Sequence, residues 1–314
     1  MNRSWPTFVH DVMPGGGWLA WLRRHWGRGR RALLRTLRPR YVAAVGACFT
    51  GHCPGCQHDV VDGSDLLWVQ NVCGRRLPAS RMPSPFRDRF GLVRLGRPEQ
   101  FTALLLGLVL LLLAIGWQPW SAPLALLPPA FTLWFFRDPE RASPRDDSLV
   151  LAPADGVVDD LRDEAECAFF AGPALRIGIY LSVFDVHVQR APIAGVVARC
   201  DYRPGRHVPT VRRGVTDANE QLLTWFRGSN GAEVVVRQVA GPFARRIGSV
   251  LGSGDVVRQG QRFGLIKFGS RCELWLPHEP GLQLVVAVGQ HVVAGVSPLA
   301  RWSAAGPAAP RDDC

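Results

Sequence analysis

The sequence predicts a mostly β protein of antiparallel sheets, α+β overall, preceded by an apolar helical hairpin. Two observations predict it. From residue 148 onward, short runs rich in β-branched residues (Val150-Leu151, Gly156-Val157-Val158, Arg176–Leu181, Gly195-Val196-Val197) are bounded by glycine and proline. Ahead of them, residues 101–117 and 122–136 form two uncharged apolar runs, the second broken by Pro123, Pro128 and Pro129. At 314 residues and 47% apolar composition, the chain is long enough for one large domain or two smaller ones.

Residues 1–81 read as an Arg-, Trp- and Cys-rich extension, either disordered or the product of a mis-assigned start, since Met82 opens a second candidate chain. This stretch carries +8 of the net charge of +11. It holds no nucleic-acid-binding motif, so a nucleic-acid partner is not expected, and weak attraction to anionic lipid is the simpler meaning of the charge. Residues 17–38 have the pattern of a basic amphipathic surface helix, and no apolar core leads to a signal-peptide cleavage site. Cys48, Cys53, Cys56 and Cys73, with His52 and His58 nearby, have a spacing that can bind zinc but departs from a zinc ribbon, and no metal is assigned. Cys167, Cys200, Cys272 and Cys314 show no pairing pattern and are expected as reduced thiols. Lys267 is the only lysine among 37 basic residues, which reads as coding bias.

Residues 82–147 are expected as a membrane-associating unit. Each apolar run is short against the roughly 20 residues of a spanning helix. Arg94 and Arg97 precede the pair, and Arg137 and Arg141 follow it. Positive charge at both feet places both on the cytoplasmic side, with Trp117, Trp120 and Trp134 suited to the interface. The expectation is a peripheral or monotopic protein on the cytoplasmic face of the inner membrane. The competing reading is a buried core helix.

Residues 148–314 read as the catalytic domain. Within it, GDVVRQGQRFGLI (254–266) and GQHVVAGVSPLA (289–300) are a weak internal echo, each placing G-x-x-V-x-x-G at a hairpin. They resemble the hairpins of biotinyl/lipoyl barrel-sandwich folds, so the sheets are expected to be barrel-sandwich-like. The turns lack the lysine that a carrier domain would present.

The most informative stretch is Gly254–Pro277. A Gly269–Ser270 bond on a turn between two strand-like runs has an uncrowded carbonyl beside a hydroxyl. An N-to-O acyl shift followed by β-elimination there would cut the chain and convert Ser270 to a pyruvoyl group. Gly-Ser is also a common turn dipeptide. Leu251-Gly252-Ser253 offers a second such bond but precedes the G-D-x-V-x-x-G segment and is rejected.

The pattern GDxVxxGxxxGxIKFGSRxxxxLP resembles the C-terminal signature of phosphatidylserine decarboxylases, in the short form of the motif. FFRDPER (135–141), APADGVV (152–158), FDVHVQRAPIAG (184–195), Asn219-Glu220 and GPFARRI (241–247) extend the resemblance collinearly over 95–302. It implies self-cleavage between Gly269 and Ser270, a β chain ending at Gly269, an α chain of 270–314, and the two held together as a heterodimer. It also implies a pyruvoyl group derived from Ser270, a phospholipid substrate in the membrane, and conversion of phosphatidylserine to phosphatidylethanolamine and CO2. A higher homo-oligomer belongs to the same implication. An ether-lipid (archaetidylserine-type) substrate, or an uncleaved non-enzymatic lipid-binding protein, are the alternatives.

The resemblance makes His187 the candidate base and Asp155 its orienting partner, an Asp–His–Ser arrangement recognised by role. Arg190 stands where long-form relatives place a second histidine. His207, His278 and His291 are the remaining candidates for that histidine's work. His207, Arg137, Arg245 and Arg246 are candidates for holding the substrate phosphate or carboxylate. Asp138 is expected to pair with one of these arginines, and Asp255 and Gly260 to set turns.

Overall fold

The computed structural model describes residues 18–51, 59–69, 73–77, 86–208, 216–241, 247–267 and 270–303. The strands are β1 Leu149–Leu151, β2 Gly156–Glu164, β3 Ala174–Leu181, β4 Val188–Arg190, β5 Gly195–Arg203, β6 Gln221–Arg227, β7 Glu233–Val239, β8 Ile247–Ser249, β9 Val256–Val257, β10 Arg262–Ile266, β11 Ser270–Pro277, β12 Leu282–Leu284, β13 His291–Val292 and β14 Pro298–Trp302. They form an eight-stranded sheet of order β13-β2-β3-β11-β7-β6-β5-β9 and two three-stranded sheets, β1-β14-β12 and β4-β10-β8. The strand pairings given for the described residues are antiparallel. Buried faces of the sheets close on one core that includes Val158, Ile177, Ile179, Phe226, Val236, Phe263, Leu274 and Trp302. The mostly β, α+β architecture is the one the β-branched runs predict.

The internal echo is a structural repeat. Gly254 and Gly289 have φ of 91° and 88°, and Gly260 and Gly295 have 74° and 70°. These left-handed values favour glycine. The hydrogen bonds repeat in step. Val197 N–H donates to Asp255 and Val158 N–H to Gln290; Gly260 N–H donates to Ala191 and Gly295 N–H to Ala152. β9 pairs with β5 at Gly195, and β13 with β2 at Gly156. The framework therefore has two related halves, in which Pro-Ala-Asp-Gly (153–156) and Pro-Ile-Ala-Gly (192–195) occupy matching places. Only the first half carries a carboxylate there, Asp155.

The apolar hairpin is α4 Arg97–Trp117, a 3-10 segment Pro119–Leu126, and α5 Leu127–Phe135. Gly107 lets the arms approach: a Cβ there would sit 2.7 Å from the Ala125 carbonyl oxygen. The helix over Arg94–Trp117 is long and apolar enough to cross a membrane, with a mean hydropathy of 2.2 and 17% of its most apolar window buried. Leu104, Leu112, Trp117, Trp120 and Leu126 are exposed. A core helix would bury such residues, so the buried-core reading of these runs is set aside.

The described part of the N-terminal extension folds onto the rest of the chain. It forms α1 Trp18–Leu37, α2 Pro39–Gly46 and α3 Gly63–Val69. Val45, Leu66, Val69, Cys73 and Leu77 share a core with Val93, Phe135, Phe136, Val186, Val188 and Leu265. Arg30 and Arg31 of α1 pair with Asp59, Asp62 and Asp65. Much of the basic charge on α1 is therefore neutralised within the chain rather than offered to a surface.

Candidate active site

Register collects the site. Ser270 opens β11, which lies between β3 and β7 in the middle of the eight-stranded sheet. Its Cα partner is Leu181, the last residue of β3, and its neighbour Arg271 faces Val239, the last of β7. Val239 in turn faces Gln221, the first residue of β6, and Asp155 directly precedes β2. One end of the sheet thus emits the loop carrying His187, the chain that enters β11 at Ser270, the segment after Val239, the loop carrying His207, and Asp155. Just before that entry, the Ile266 N–H reaches the His187 carbonyl at 3.4 Å. Between Ile266 and Ser270 the chain passes from the three-stranded sheet of β10 to the eight-stranded one. Phe268, Gly269, Arg245 and Arg246 themselves lie outside the described residues, as do His52, Cys53, Cys56 and His58.

Ser270 is fully buried, and its hydroxyl has no hydrogen-bond partner among the described residues. A buried hydroxyl without a partner costs stability. His187 is also fully buried. Its Nδ1 lies 2.9 Å from the Asp185 carbonyl oxygen, which can only accept. The neutral ring therefore carries its proton on Nδ1 and its lone pair on Nε2, and Nε2 is likewise without a partner among the described residues. Burial, against the ring of Phe135 at 4.2 Å among others, pushes the His187 pKa down to about 4. At neutral pH it is an uncharged base with a free lone pair.

The loop that holds His187 is fixed by Asp185. Its carboxylate accepts from the Ser182 backbone N–H and hydroxyl and lies 3.0 Å from His291 Nε2. Burial raises the Asp185 pKa, but these hydrogen bonds outweigh it and hold the carboxyl below its ordinary value.

Asp155 is near enough to act on His187 through its field, but its hydrogen bonds go elsewhere. Arg141 grips it with two hydrogen bonds of 2.6 and 2.7 Å, and the Ala294 N–H donates to it at 2.8 Å. The hydrogen-bonded Asp–His–Ser chain expected from the sequence is thus not the arrangement found: a backbone carbonyl, not Asp155, orients the imidazole. Both Arg141 and Asp155 are buried. Replacing Asp155 by asparagine leaves Arg141 unpaired, and a loss of about 3–5 kcal/mol of stability is expected in denaturant unfolding.

Arg190 cannot replace a histidine. It is buried and bound to Asp138 and to the Gly260 and Pro139 carbonyls. Burial lowers its pKa to about 10, which leaves it a cation. Among the described residues, Asp138 pairs with Arg190 and Arg262 rather than with Arg137. Arg137 spends donors on the Trp134 and Phe184 carbonyls and lies 4.0 Å over the Trp134 ring. His207 Nε2 is 2.7 Å from Glu220, and His278 is an exposed residue 3.5 Å from Asp163. Leu251-Gly252-Ser253 is a turn, with the Gly252 N–H donating to Asp255. A cleft of about 1040 Å³ is lined by Arg87, Arg141, Arg145, Arg190, Arg258 and Arg262 among others, and neither Ser270 nor His187 borders it. Among the described residues, no group of three His, Cys, Asp or Glu is placed to hold a metal.

A model of the phosphatidylserine decarboxylase family matches residues 129–300. The chain is 43% identical to the phosphatidylserine decarboxylase proenzyme of Symbiobacterium thermophilum, over 64% of this chain and 92% of the relative. It is 39% identical to that of Paramagnetospirillum magneticum, over 71% of this chain and 86% of the relative. The chain belongs to the phosphatidylserine decarboxylase family. Membership gives the buried Ser270 hydroxyl its context, since relatives in this decarboxylase family are named as proenzymes. Sequence reading of this decarboxylase missed Arg141 as the partner of Asp155, Phe135 as the wall of His187, and Asp185 as the brace of its loop. Arg141 and Phe135 sit in FFRDPER, the motif already singled out. What the motif does not say is which of its charges faces which loop.

Proposed function

We propose that this chain cuts itself between Gly269 and Ser270 and then, as a pyruvoyl enzyme, decarboxylates phosphatidylserine to phosphatidylethanolamine and CO2. The observation that carries this reading is the Ser270 hydroxyl, buried and without a partner among the described residues, at the start of the central strand and preceded in sequence by a glycine. The Ser270 oxygen adds to the Gly269 carbonyl carbon, the C–N bond breaks, and an ester with a free amine results. Loss of the Ser270 Cα proton expels the Gly269 carboxylate. The dehydroalanine that remains takes up water and releases ammonia, leaving a pyruvoyl terminus on the α chain. His187 Nε2 is the base we assign, with its lone pair directed by the Nδ1 bond to Asp185. The pyruvoyl group supplies an electron sink for the departing carboxylate.

Strand pairing supports a heterodimer after the cut. β11, β13 and β14 of residues 270–314 pair with β3 and β7, β2, and β1 of the preceding chain. The exposed apolar hairpin, with Arg94, Arg97 and Arg137 at its feet, supports seating in a membrane from the cytoplasmic side, while Arg141 is taken by Asp155. His207, Arg137, Arg245 and Arg246 remain the residues assigned to the substrate's phosphate or carboxylate.

Denaturing intact-mass measurement of the purified protein tests the reading. The expected result is two chains, 1–269 and a 45-residue 270–314 with pyruvoyl in place of serine. A single whole chain in folded protein overturns it and leaves a lipid-binding protein; a cut after Gly252 moves the site. Assay on ester and ether forms of the serine lipid then sets the substrate class, since the chemistry touches only the serine amine and carboxylate.

A further inference from the structure

Lys267 lies two residues ahead of the Gly269–Ser270 bond and is almost fully buried. A protein that uses arginine at every other basic position places its one lysine here. Coding bias accounts for the arginines; the exception has a geometric reason. The Lys267 ammonium donates to the Leu95 carbonyl at 2.7 Å and to the Glu99 carboxylate at 2.9 Å, and lies 5.4 Å over the Phe136 ring. Glu99 is buried in the first turn of α4, and Leu95 sits in the 3-10 turn just before it. Phe136 directly follows α5. The ammonium is thus plugged into the foot of the hairpin, with two hydrogen bonds to the arm that enters and a ring contact from the arm that leaves. A compact ammonium fits such a socket where the planar guanidinium fork does not.

The fit at this foot is tight. A Cβ on Gly96 would lie 2.3 Å from the Phe136 ring, and one on Gly248 would lie 2.4 Å from Leu95. The same foot touches the other half of the site. Phe135 stacks on His187 at 4.2 Å, and Arg137 donates to the Phe184 carbonyl in the His187 loop. The hairpin therefore meets both the assigned base and the turn that carries the scissile bond.

We propose that Lys267 and Glu99 are a positioning pair that ties the foot of the membrane hairpin to the Gly269–Ser270 turn and holds that turn in its cleavage geometry. The inference rests on the self-cleavage reading above. Lys267 acts here through the position of the chain rather than as an acid or base. It pins the chain two residues from the scissile carbonyl, where a displacement of about 1 Å is enough to slow an intramolecular attack by about 100-fold.

The test is the double variant Lys267→Met/Glu99→Gln, in which neither buried charge is left alone. Removing both members of a buried ion pair is often neutral for stability, so the double variant separates positioning from folding. Thermal midpoints are measured in a Ser270→Ala background, where no cut intervenes, and cleavage is followed by intact mass. The expected result is an unchanged midpoint with cleavage slowed at least about tenfold. If the midpoint falls, rates are compared at equal distance below each midpoint. A slowing that persists there supports the pair's role, and one that vanishes overturns it. Cleavage at the wild-type rate also overturns it while leaving the parent reading intact. A wild-type chain that is never cut removes the parent reading and this inference together.

Discussion

Ser270→Ala is expected to remain a single chain of 34.5 kDa and to lose decarboxylation entirely. Alanine has no oxygen to attack the Gly269 carbonyl, so neither the cut nor the pyruvoyl group arises. The loss should be at least about 10⁶-fold, the lower end of what an enzyme supplies over the uncatalysed reaction. The fold should survive. Ser270 is held in the sheet by backbone pairing to Leu181, which the substitution leaves alone. Removing a buried hydroxyl that has no partner among the described residues is expected to be neutral or slightly stabilising. Intact mass together with lipid decarboxylation assay checks this, and a cut or active Ser270→Ala protein contradicts it.

His187→Gln is expected to slow self-cleavage and decarboxylation by about 10²- to 10⁴-fold, the range for loss of a general base. The glutamine amide can still donate to the Asp185 carbonyl, so the loop keeps its brace while the lone pair is lost. The pH dependence gives an independent reading. Burial holds the folded His187 pKa at about 4, against 6.5 for an ordinary histidine. The unfolded chain therefore takes up a proton as pH falls through 6.5, while the folded chain resists until about 4. Stability from this group is fully present above 6.5 and declines between 6.5 and 4, by about 3 kcal/mol in all. Cleavage in the wild type should likewise persist at pH 5.5 and fall only as pH approaches 4. Denaturant unfolding of Ser270→Ala and Ser270→Ala/His187→Gln across this window should show a flatter curve for the second. An acid limb of cleavage near 6.5 would mean that another group titrates.

Much of the framework was legible because it rests on local rules. β-branched runs between glycines and prolines, and an uncharged run of leucines, state their own conformations. The two G-x-x-V-x-x-G segments announced a repeat, whose extent became plain only when Gly156 and Gly195 were found at matching bridges. The Gly269–Ser270 bond could be singled out as a candidate because a hydroxyl after a glycine is a local chemical fact. Ion-pair choice was not. Arg141, rather than His187, takes Asp155, and Arg190 and Arg262, rather than Arg137, take Asp138. With 37 basic residues in the chain, spacing does not choose among them, and the choice depends on how three sheets and a hairpin come together. The same limit hid the aspartates of residues 59–65, which neutralise arginines on α1.

The place of β11 has a consequence for how the protein is quality-controlled. This strand is central, and its partners β3 and β7 are separated from it by long stretches of chain. The buried position of Ser270 depends on those distant strands pairing in register. On the proposed self-cleavage, a misfolded chain would keep an ordinary serine and never acquire the reactive carbonyl. Maturation would then act as an inspection stamp: the catalytic group would be issued only to molecules that have already folded, and an electrophile that reacts with stray amines would not be carried by the rest.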